Sequence, residues 1–375
     1  MSNIPKLRFP EFTDAWEKCK LGEAANIIMG QSPSSKFYTD NPKDYILVQG
    51  NADLKNGWVM PRVWTTQRTK VGKKGDLIFS VRAPVGEIGK TSYDVVLGRG
   101  VAAIQGNEFI FQTLSKMNIF GFWKTLSTGS TFDAINSNEL RKVEINIPTL
   151  PEQQKIGNLF KQLDRLITLH KRKWDDVILL KKALLQKMFP KNGSDFPEIR
   201  FPEFTDAWEK CKLGDVIIDE IKGKAKADML GEQSLYLDAN YLNGGNELYV
   251  NSPTDVDKND VIILWDGSQA GTVYHGFSGA LGSTFKAFRP KQSGAFLYQQ
   301  LKRYQDTIYN SYRTPNIPHV IKSFTKEFNI SIPNYEEQQK IGNLFKQLDR
   351  LITLHKRQHE HYQLLKKALL QQMFV

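Results

Sequence analysis

The chain has 375 residues, 40% of them hydrophobic and 24% charged, which favours two or three soluble globular domains over one small module or a disordered chain. Its 51 basic and 40 acidic residues give a net charge of +11, which favours a polyanionic partner, nucleic acid first. Cys19 and Cys211 are too few for a disulfide framework or a four-cysteine zinc site. Neither a signal-peptide core nor an apolar run of about 18 residues is found. We therefore expect a cytoplasmic protein with no membrane contact.

The predicted elements of the first half mix strands and helices. YILVQG at 45–50 and GDLIFSVR at 75–82 are rich in β-branched and aromatic residues, which predicts strands. Apolar residues recur at helical spacing over 108–126, and VEINIP at 143–148 predicts a further strand. These segments indicate a mixed α and β domain.

A long helix is predicted next. Thr149 and Glu152 have the spacing of a capping box, with Pro151 in the first turn. Pro190 and the polar residues after it predict that the helix ends near Phe189. Between these limits a seam with alternating spacings of four and three, as in a coiled coil, comprises Ile156, Phe160, Leu163, Ile167, His170, Trp174, Val177, Lys181, Leu184 and Met188.

The second half repeats this order. VIILW at 261–265 and FNISIP at 328–333 predict strands, and 295–311 predicts a helix. Asn334 and Glu337 repeat the capping-box spacing before a second long helix.

Two blocks of sequence recur without change. RFPEFTDAWEKCKLG occurs at 8–22 and 200–214, and EQQKIGNLFKQLDRLITLHKR at 152–172 and 337–357, while the interiors between them largely differ. LLKKALLQKMF from Leu179 also returns as LLKKALLQQMF from Leu364. Two long copies exclude a solenoid and predict a pseudo-twofold plan. The predicted domains are 1–150 and 199–334, with helices at 151–189 and 335–375 and a linker at 190–198.

Three motifs favour ordinary structure over chemistry. GEIGKT at 86–91 lacks the first glycine of a phosphate-binding loop, so we expect a turn between strands. His355, His359 and His361 have no matching histidine cluster in the first repeat, which favours a helix surface or interface over a metal site. Glu220 and Lys222 resemble a nuclease pair, but such pairs are common by chance. No catalytic serine, cysteine or methyltransferase motif is found, so we predict a chain that is not an enzyme.

One basic run is a candidate for phosphate contacts. Arg62–Lys74 contains five basic residues, no acidic residue and Trp64. Lysine and arginine at this density bind phosphates, although a solvated loop has the same composition.

The interiors resemble a known family. GDLIFSVRAPVGEIG (75–89), GSTFDAINSNELRKVEINIPTLPEQQKI (129–156) and TPNIPHVIKSFTKEFNISIP (314–333) are similar to the target recognition domains of type I restriction-modification specificity (S) subunits. The resemblance covers essentially the whole chain and implies an α+β fold: two mixed α/β target recognition domains in pseudo-twofold tandem repeat, separated by two long helices forming an antiparallel coiled coil.

The resemblance also implies function and partners. An S subunit reads a bipartite, asymmetric site on double-stranded DNA and positions two adenine-N6 methyltransferase (M) subunits, which restriction (R) subunits can join. S-adenosylmethionine, ATP and Mg²⁺ would bind those partners, which leaves this chain without a cofactor. Two other classes stay open: a non-catalytic coiled-coil adaptor, and a self-contained nuclease or methyltransferase.

Reading bases requires hydrogen-bond donors and acceptors on a fixed surface, and phosphate contacts set the register. The candidates for DNA contact in the first repeat are Gln31, Gln49, Asn51, Ser80, Arg82, Thr131 and Asn136 for bases, with Arg62, Arg68 and Lys73 for phosphates. In the second repeat VIILWDGSQAGTVYHG (261–276) replaces the SVRAPVGEIG-like run, and the candidates are Lys224, Gln269, His275, Arg313, Thr314 and Asn316.

Overall fold

The computed structural model describes residues 3–127, 134–191 and 193–375. The chain divides into two compact units. The first unit combines Met1–Arg172 with Lys356–Val375, and the second is Lys173–His355. Each unit therefore contains a globular part and one segment from each long helix. The two units are described separately below.

Three sheets build the globular part of the first unit. Their strands are β1 (Glu17–Lys20), β2 (Asn26–Met29), β3 (Tyr38–Thr39), β4 (Tyr45–Val48), β5 (Leu54–Lys55), β6 (Trp58–Val59), β7 (Val63–Thr65), β8 (Val71–Gly72), β9 (Leu77–Ser80), β10 (Ile88–Lys90), β11 (Val95–Leu97), β12 (Val101–Gln105) and β13 (Glu144–Ile147). A six-stranded sheet has the order β2-β12-β9-β10-β6-β5, a five-stranded sheet has the order β3-β7-β4-β11-β8, and β1 pairs with β13 in a two-stranded sheet.

The helices of the first unit cover one side of the six-stranded sheet. They are α1 (Leu21–Ala24), α2 (Glu108–Ile119), α3 (Phe122–Ser127), α4 (Ser137–Lys142) and the start of α5 (Leu150–Lys187). The helical structure predicted over 108–126 is present as two helices, because the chain turns at Gly121 with a φ of 80°, a conformation that suits glycine. The GEIGKT segment, predicted as a turn between strands, has a turn at Gly86 and continues as strand β10.

The second unit has a smaller version of this plan. Its strands are β14 (Glu209–Lys212), β15 (Ile217–Lys222), β16 (Leu230–Leu237), β17 (Tyr249–Val250), β18 (Val261–Leu264), β19 (Val273–His275), β20 (Ala280–Leu281), β21 (Phe285–Pro290) and β22 (Asn329–Ile332). The sheet β15-β21-β18-β19 matches β2-β12-β9-β10, and the parallel pair β16-β20 matches β4-β11.

The helices of the second unit are α6 (Ala239–Leu242), α7 (Gly294–Arg303), α8 (Gln305–Ser311), α9 (Phe324–Glu327) and the part of α10 (Tyr335–Met373) that ends at His355. The predicted helix over 295–311 is again two helices, which meet at Tyr304. The Asn334 cap is confirmed, because its side chain accepts a hydrogen bond from the Glu337 amide at 3.0 Å.

Segments of α5 and α10 pack antiparallel inside each unit. In the first unit the Phe160 ring lies 5.5 Å from Phe374 and the His170 ring 5.5 Å from Tyr362, so residue numbers rise along one helix as they fall along the other. Polar pairs recur at equivalent places in the seams. Lys366 Nζ lies 2.6 Å from Asp164 in the first unit, and Lys181 Nζ lies 2.5 Å from Asp349 in the second. The predicted coiled-coil packing is confirmed within each unit.

The repeated sequence blocks bind one another, which explains why both are duplicated. Arg8 donates two hydrogen bonds to Glu152 at 2.7 and 2.8 Å, and Arg200 donates two to Glu337 at 2.8 and 2.7 Å. The two glutamate side chains are 1% and 0% exposed. The capping-box glutamates are thus used as buried partners of arginine. This charged pair joins the N-terminal block of each repeat to its long helix.

Candidate nucleic-acid interface

Four loops of the first unit meet at the ends of strands β2, β4, β9 and β11. They form a polar cavity of about 360 Å³, which we call the first-unit cleft; it is lined by Ser32, Pro33, Ser35, Tyr38, Gln49, Arg82, Arg99 and Gly100. None of these lining residues is acidic, and two are arginines. The cleft therefore has a positive potential and a lining rich in donors, which suits the acceptor atoms of nucleic acid.

Close backbone packing fixes the shape of the first-unit cleft. A Cβ atom on Gly100 would lie 2.1 Å from the carbonyl oxygen of Gln49, and one on Gly30 would lie 2.0 Å from that of Gly98. Only glycine permits such approaches without a movement of the backbone. The loop Gly98–Gly100, with Arg99 at its tip, is therefore held against the loops that carry Gln31 and Gln49.

Hydrogen bonds within the protein orient residues that line the cleft. The Gln49 side chain donates to the Tyr38 hydroxyl at 2.8 Å, and its backbone amide donates to Asp53 at 2.7 Å. The Ser80 hydroxyl donates to the Arg82 carbonyl oxygen at 2.9 Å. Within the part of the chain that the structure describes, neither Arg82 nor Arg99 has a protein partner for its guanidinium group. Both groups remain available to a ligand.

Loops at the equivalent strand ends also meet in the second unit, where their side chains differ. We call the place where these loops meet the loop junction of each unit. A Cβ atom on Gly223 would lie 2.0 Å from the Gly282 carbonyl oxygen, which matches the contact of Gly30 with Gly98. The amide of Lys224 donates to Leu281 at 3.0 Å, as that of Gln31 donates to Leu97 at 2.8 Å. Lys224 is therefore the structural equivalent of Gln31.

Two more positions of the junction are equivalent. Arg82 and Asp266 each follow the central strand of their sheet and form the same kind of isolated antiparallel bridge, to Ala134 and His319 respectively. Arg99 corresponds to Ser283, because each follows the glycine that ends the parallel strand pair. The first unit thus has arginine at two positions where the second has a carboxylate and a hydroxyl.

Comparison with known proteins follows the same division into repeats. The model of the type I restriction modification DNA specificity domain matches residues 13–178 and 205–361, most of the chain. The chain belongs to this family. Each match contains one set of recognition loops and the start of one long helix.

Curated relatives agree with this assignment. The MjaX specificity subunit of a type I restriction enzyme from Methanocaldococcus jannaschii is 32% identical over 193 residues, 49% of this chain and 44% of that protein. The MjaVIII specificity subunit from the same organism is 30% identical over 202 residues, 51% and 47% of the two chains. The chain spans about half the length of these relatives in each match. Specificity subunits are a non-catalytic class, which agrees with the prediction that this chain is not an enzyme.

A solved structure has the same fold. The crystal structure of a type I restriction-modification S subunit from M. genitalium covers 99% of each chain with a TM-score of 0.74 and 17% identity. The predicted fold class of two mixed α/β domains and two long helices is therefore confirmed.

The residues of the first unit that were predicted to contact bases differ from one another in burial and in hydrogen bonding. Gln31, Gln49 and Arg82 are exposed at the loop junction, and Asn51 is half-buried in a short turn beside it. Ser80 is 1% exposed and supports Arg82 from within. Asn136 caps α4 by accepting from the amides of residues 138 and 139. Thr131 lies outside the described residues.

The predicted phosphate contacts lie on the surface of the same unit. The Arg62 guanidinium donates to the Ala52 carbonyl oxygen at 3.0 Å, and Arg68 lies over the Tyr45 ring at 5.9 Å. Lys73 pairs with Asp94 at 3.0 Å, and both side chains are largely exposed. An exposed pair of this kind is worth little, so Lys73 can exchange its partner for a phosphate at small cost.

In the second unit three predicted residues are exposed around the loop junction: Lys224, Gln269 and Asn316. Arg313 is tied to the carbonyl oxygens of Tyr309 and Ser268 at 3.0 and 3.1 Å, and Thr314 contacts the His319 ring at 2.9 Å. These two residues shape the loop near Asp266.

His275 lies under the surface of the second unit. Its ring stacks on Tyr298 at 5.7 Å, and its buried Nε2 has no partner among the described residues. Burial, followed by the charge of Lys346, lowers the pKa of His275 to about 4. The ring is neutral near pH 7, and we leave it out of the proposed DNA surface.

The residues rejected as catalytic have structural partners. Glu220 accepts from Thr325 at 2.6 Å and from Lys286 at 3.1 Å, so both carboxylate oxygens are used. His359 Nδ1 lies 3.1 Å from the Ile167 carbonyl oxygen, at the helix interface that the sequence favoured. Across residues 3–127, 134–191 and 193–375, no cluster of metal-ligating side chains occurs and no helix is long and apolar enough to cross a membrane.

Arg99 is the charged residue of the cleft that sequence reasoning missed. The segment VVLGRG places it between two glycines directly after an apolar strand. Paired glycines around one charged residue are a signal for close backbone contact at a loop tip. The contact with Gln49, however, joins residues far apart in sequence and is visible only in the folded chain.

Proposed function

We propose that the chain is the DNA sequence-recognition subunit of a type I restriction-modification complex. It reads a bipartite, asymmetric site on double-stranded DNA, with one half-site for each unit. The repeated blocks at 8–22, 152–172, 200–214 and 337–357 form a frame that is identical in the two repeats. The observation that carries this proposal is the contrast between this frame and the loops at the strand ends. Identical residues join each N-terminal block to its helix, while the equivalent loop positions differ: Gln31, Arg82 and Arg99 against Lys224, Asp266 and Ser283.

Two domains that recognise different DNA sequences require this combination of an identical frame and different loops. A constant frame holds each sheet, and the loops at the strand ends present the side chains that differ. Because donors and acceptors on base edges distinguish base pairs, unlike loops select unlike half-sites. An inert adaptor has no need for two arginines that line the first-unit cleft and whose guanidinium groups have no protein partner among the described residues.

The long helices are the proposed docking surface for partner subunits. Leu364 on the helical part of the first unit is 69% exposed, and its sequence equivalent Leu179 in the second unit is 64% exposed. Ile178 and Leu180 beside Leu179 are 40% and 48% exposed, and neighbouring exposed apolar side chains on a helix favour a protein interface. We propose two adenine-N6 methyltransferase (M) subunits as occupants, with R subunits joining them.

The partners would also carry the small molecules. S-adenosylmethionine would bind the M subunits, and ATP and Mg²⁺ would serve the complex through its other chains. We propose the cytoplasm as the compartment, because the DNA substrate and these cofactors are found there.

Methylome sequencing tests this function directly. A host that expresses the chain with its M partner is expected to gain methylated adenines in one asymmetric motif with two defined halves, and a host that expresses the M partner alone is not. Methylation that does not depend on this chain, or purified complex that binds no duplex at low salt, would favour the adaptor class instead.

The basic run provides a quantitative prediction. Replacing Arg68, Lys70 and Lys73 together with alanine is expected to reduce the slope of log K against log salt concentration by about 2 to 3, because each lost phosphate contact removes about 0.9. The measurement is DNA binding by the assembled complex at several salt concentrations. A folded triple variant with the parental slope would remove this run from the interface.

A further inference from the structure

We propose that the first-unit cleft reads a G·C base pair in the major groove, with Arg99 as the residue that contacts guanine. This inference rests on the proposed function and assigns chemistry to one place within it. It starts from two arginines that line one cavity with no acidic residue among those lining it. Arg99 and Arg82 each have five N–H donors and, in the described part of the chain, no protein acceptor.

The position of Arg99 suits a base contact. Glycines on both sides remove the side chains that would keep a base edge away from the loop tip. The Arg99 amide donates to the Ser32 hydroxyl at 3.0 Å, and Gly100 packs on the Gln49 carbonyl oxygen. The backbone beneath the guanidinium is therefore fixed. An arginine that extends from a fixed backbone to a base edge can donate to guanine O6 and N7 at once, a bidentate contact that other bases do not offer.

Gln49 distinguishes a base pair from a phosphate as the ligand. Its amide nitrogen donates to Tyr38, another residue that lines the cleft, and within the described residues its acceptor Oε1 has no protein donor and remains for a ligand. A phosphate has only acceptor oxygens at neutral pH and gains nothing from Oε1. A G·C pair presents two acceptors on guanine and the N4 donor of cytosine. Arginine donors and a glutamine acceptor in one cleft match that set.

The second unit provides the internal comparison. Asp266 and Ser283 occupy the positions of Arg82 and Arg99, and both side chains are exposed. The Asp266 carboxylate accepts hydrogen bonds and cannot contact guanine O6 or N7. The guanine preference is therefore assigned to the first unit, and Arg99→Ser introduces the side chain that the second unit already has at this position.

The experiment uses the full chain assembled with its M partner. Methylome sequencing first gives the parental motif, and the same measurement is made with Arg99→Ser and Arg99→Lys. Both variants are expected to relax one guanine in one half of the motif and to leave the other half unchanged. With purified complex, the parental protein is expected to prefer duplexes with this G·C pair over A·T by roughly 5- to 150-fold. Arg99→Ser is expected to lose this preference and Arg99→Lys to reduce it, because lysine retains the charge and can reach O6 and N7 but lacks the planar fork of guanidinium donors. A reduced preference in Arg99→Lys with retained overall binding identifies base reading.

Lys18→Ala is the matched control for the loss of one charge, because Lys18 is an exposed residue of the frame paired with Glu144. It is expected to retain the parental motif. Equal weakening of Arg99→Ser on every sequence, with full binding by Arg99→Lys, would make Arg99 a phosphate contact and overturn the inference. A motif that both variants leave unchanged would also overturn it. Absence of any motif with the parental chain would instead contradict the proposed function.

Discussion

Replacing Arg200 with alanine is expected to destabilise the second unit by about 3–5 kcal/mol. The substitution leaves the Glu337 carboxylate, which is fully buried, without its two hydrogen bonds from the guanidinium group. A buried charge without a partner has lost its hydration and regains nothing in exchange. Unfolding of the full chain in denaturant, followed by circular dichroism, measures the loss. Arg8→Ala is expected to have the same effect on the first unit through Glu152.

Two control variants separate this cause from a general weakening of the frame. Lys340→Ala removes an ion pair with Glu203 that lies between the same two blocks but is exposed to solvent, so its loss should leave the free energy of unfolding nearly unchanged. The double variant Arg200→Met with Glu337→Met removes both charges and should recover most of the stability. Equal losses from Arg200→Ala and Lys340→Ala would show that burial does not determine the effect.

A chain truncated after Lys191 is expected to form a homodimer. In the full chain, Leu370, Met373 and Phe374 complete the hydrophobic core of the first unit. The truncated chain lacks them but retains LLKKALLQKMF from Leu179, which differs from LLKKALLQQMF at one position. A second copy can therefore supply Leu185, Met188 and Phe189 to the same core sites, and the relation is reciprocal.

Light scattering of the purified fragment tests this expectation, and methylome sequencing with the M partner gives its consequence for DNA. The dimer should methylate a symmetric motif made of two first-unit half-sites. Met188→Ala with Phe189→Ala in the fragment removes the two side chains that would enter the partner core, and should produce a monomer with exposed apolar surface. A stable, folded monomer of the unmodified fragment would contradict the expectation.

The sequence predicted those features that depend on local pattern or on repetition. The two long helices followed from apolar spacing and capping residues, and the duplicated plan followed from two unchanged blocks. The breaks at Gly121 and Tyr304 were missed, because apolar spacing continues through both while the backbone turns. Ser80 and Asn136 were selected because their side chains can form hydrogen bonds with bases. In the folded chain Ser80 is buried and Asn136 caps α4, so both side chains have structural roles instead.

The first-unit cleft was predicted only in part. Gln49 and Arg82 were selected because amides and guanidinium groups are the side chains that distinguish bases. Arg99 required knowledge that the loop after β11 packs on the loop after β4, a contact between strands that are distant in sequence. The equivalence of Arg82 with Asp266 likewise follows from the corresponding strands of the two sheets and not from sequence similarity.

Completion of the first unit by Lys356–Val375 has a consequence for biosynthesis. The residues up to Arg172 leave the ribosome well before the helical segment that closes their core, because Lys173–His355 takes roughly 10–40 s to synthesise at about 5–20 residues per second. During that interval the apolar sites for Leu370, Met373 and Phe374 have no permanent occupant. The nascent chain already carries a near copy of the missing segment at Leu179–Phe189. Neighbouring nascent chains on one messenger therefore have a matching surface through which they can pair before either is finished.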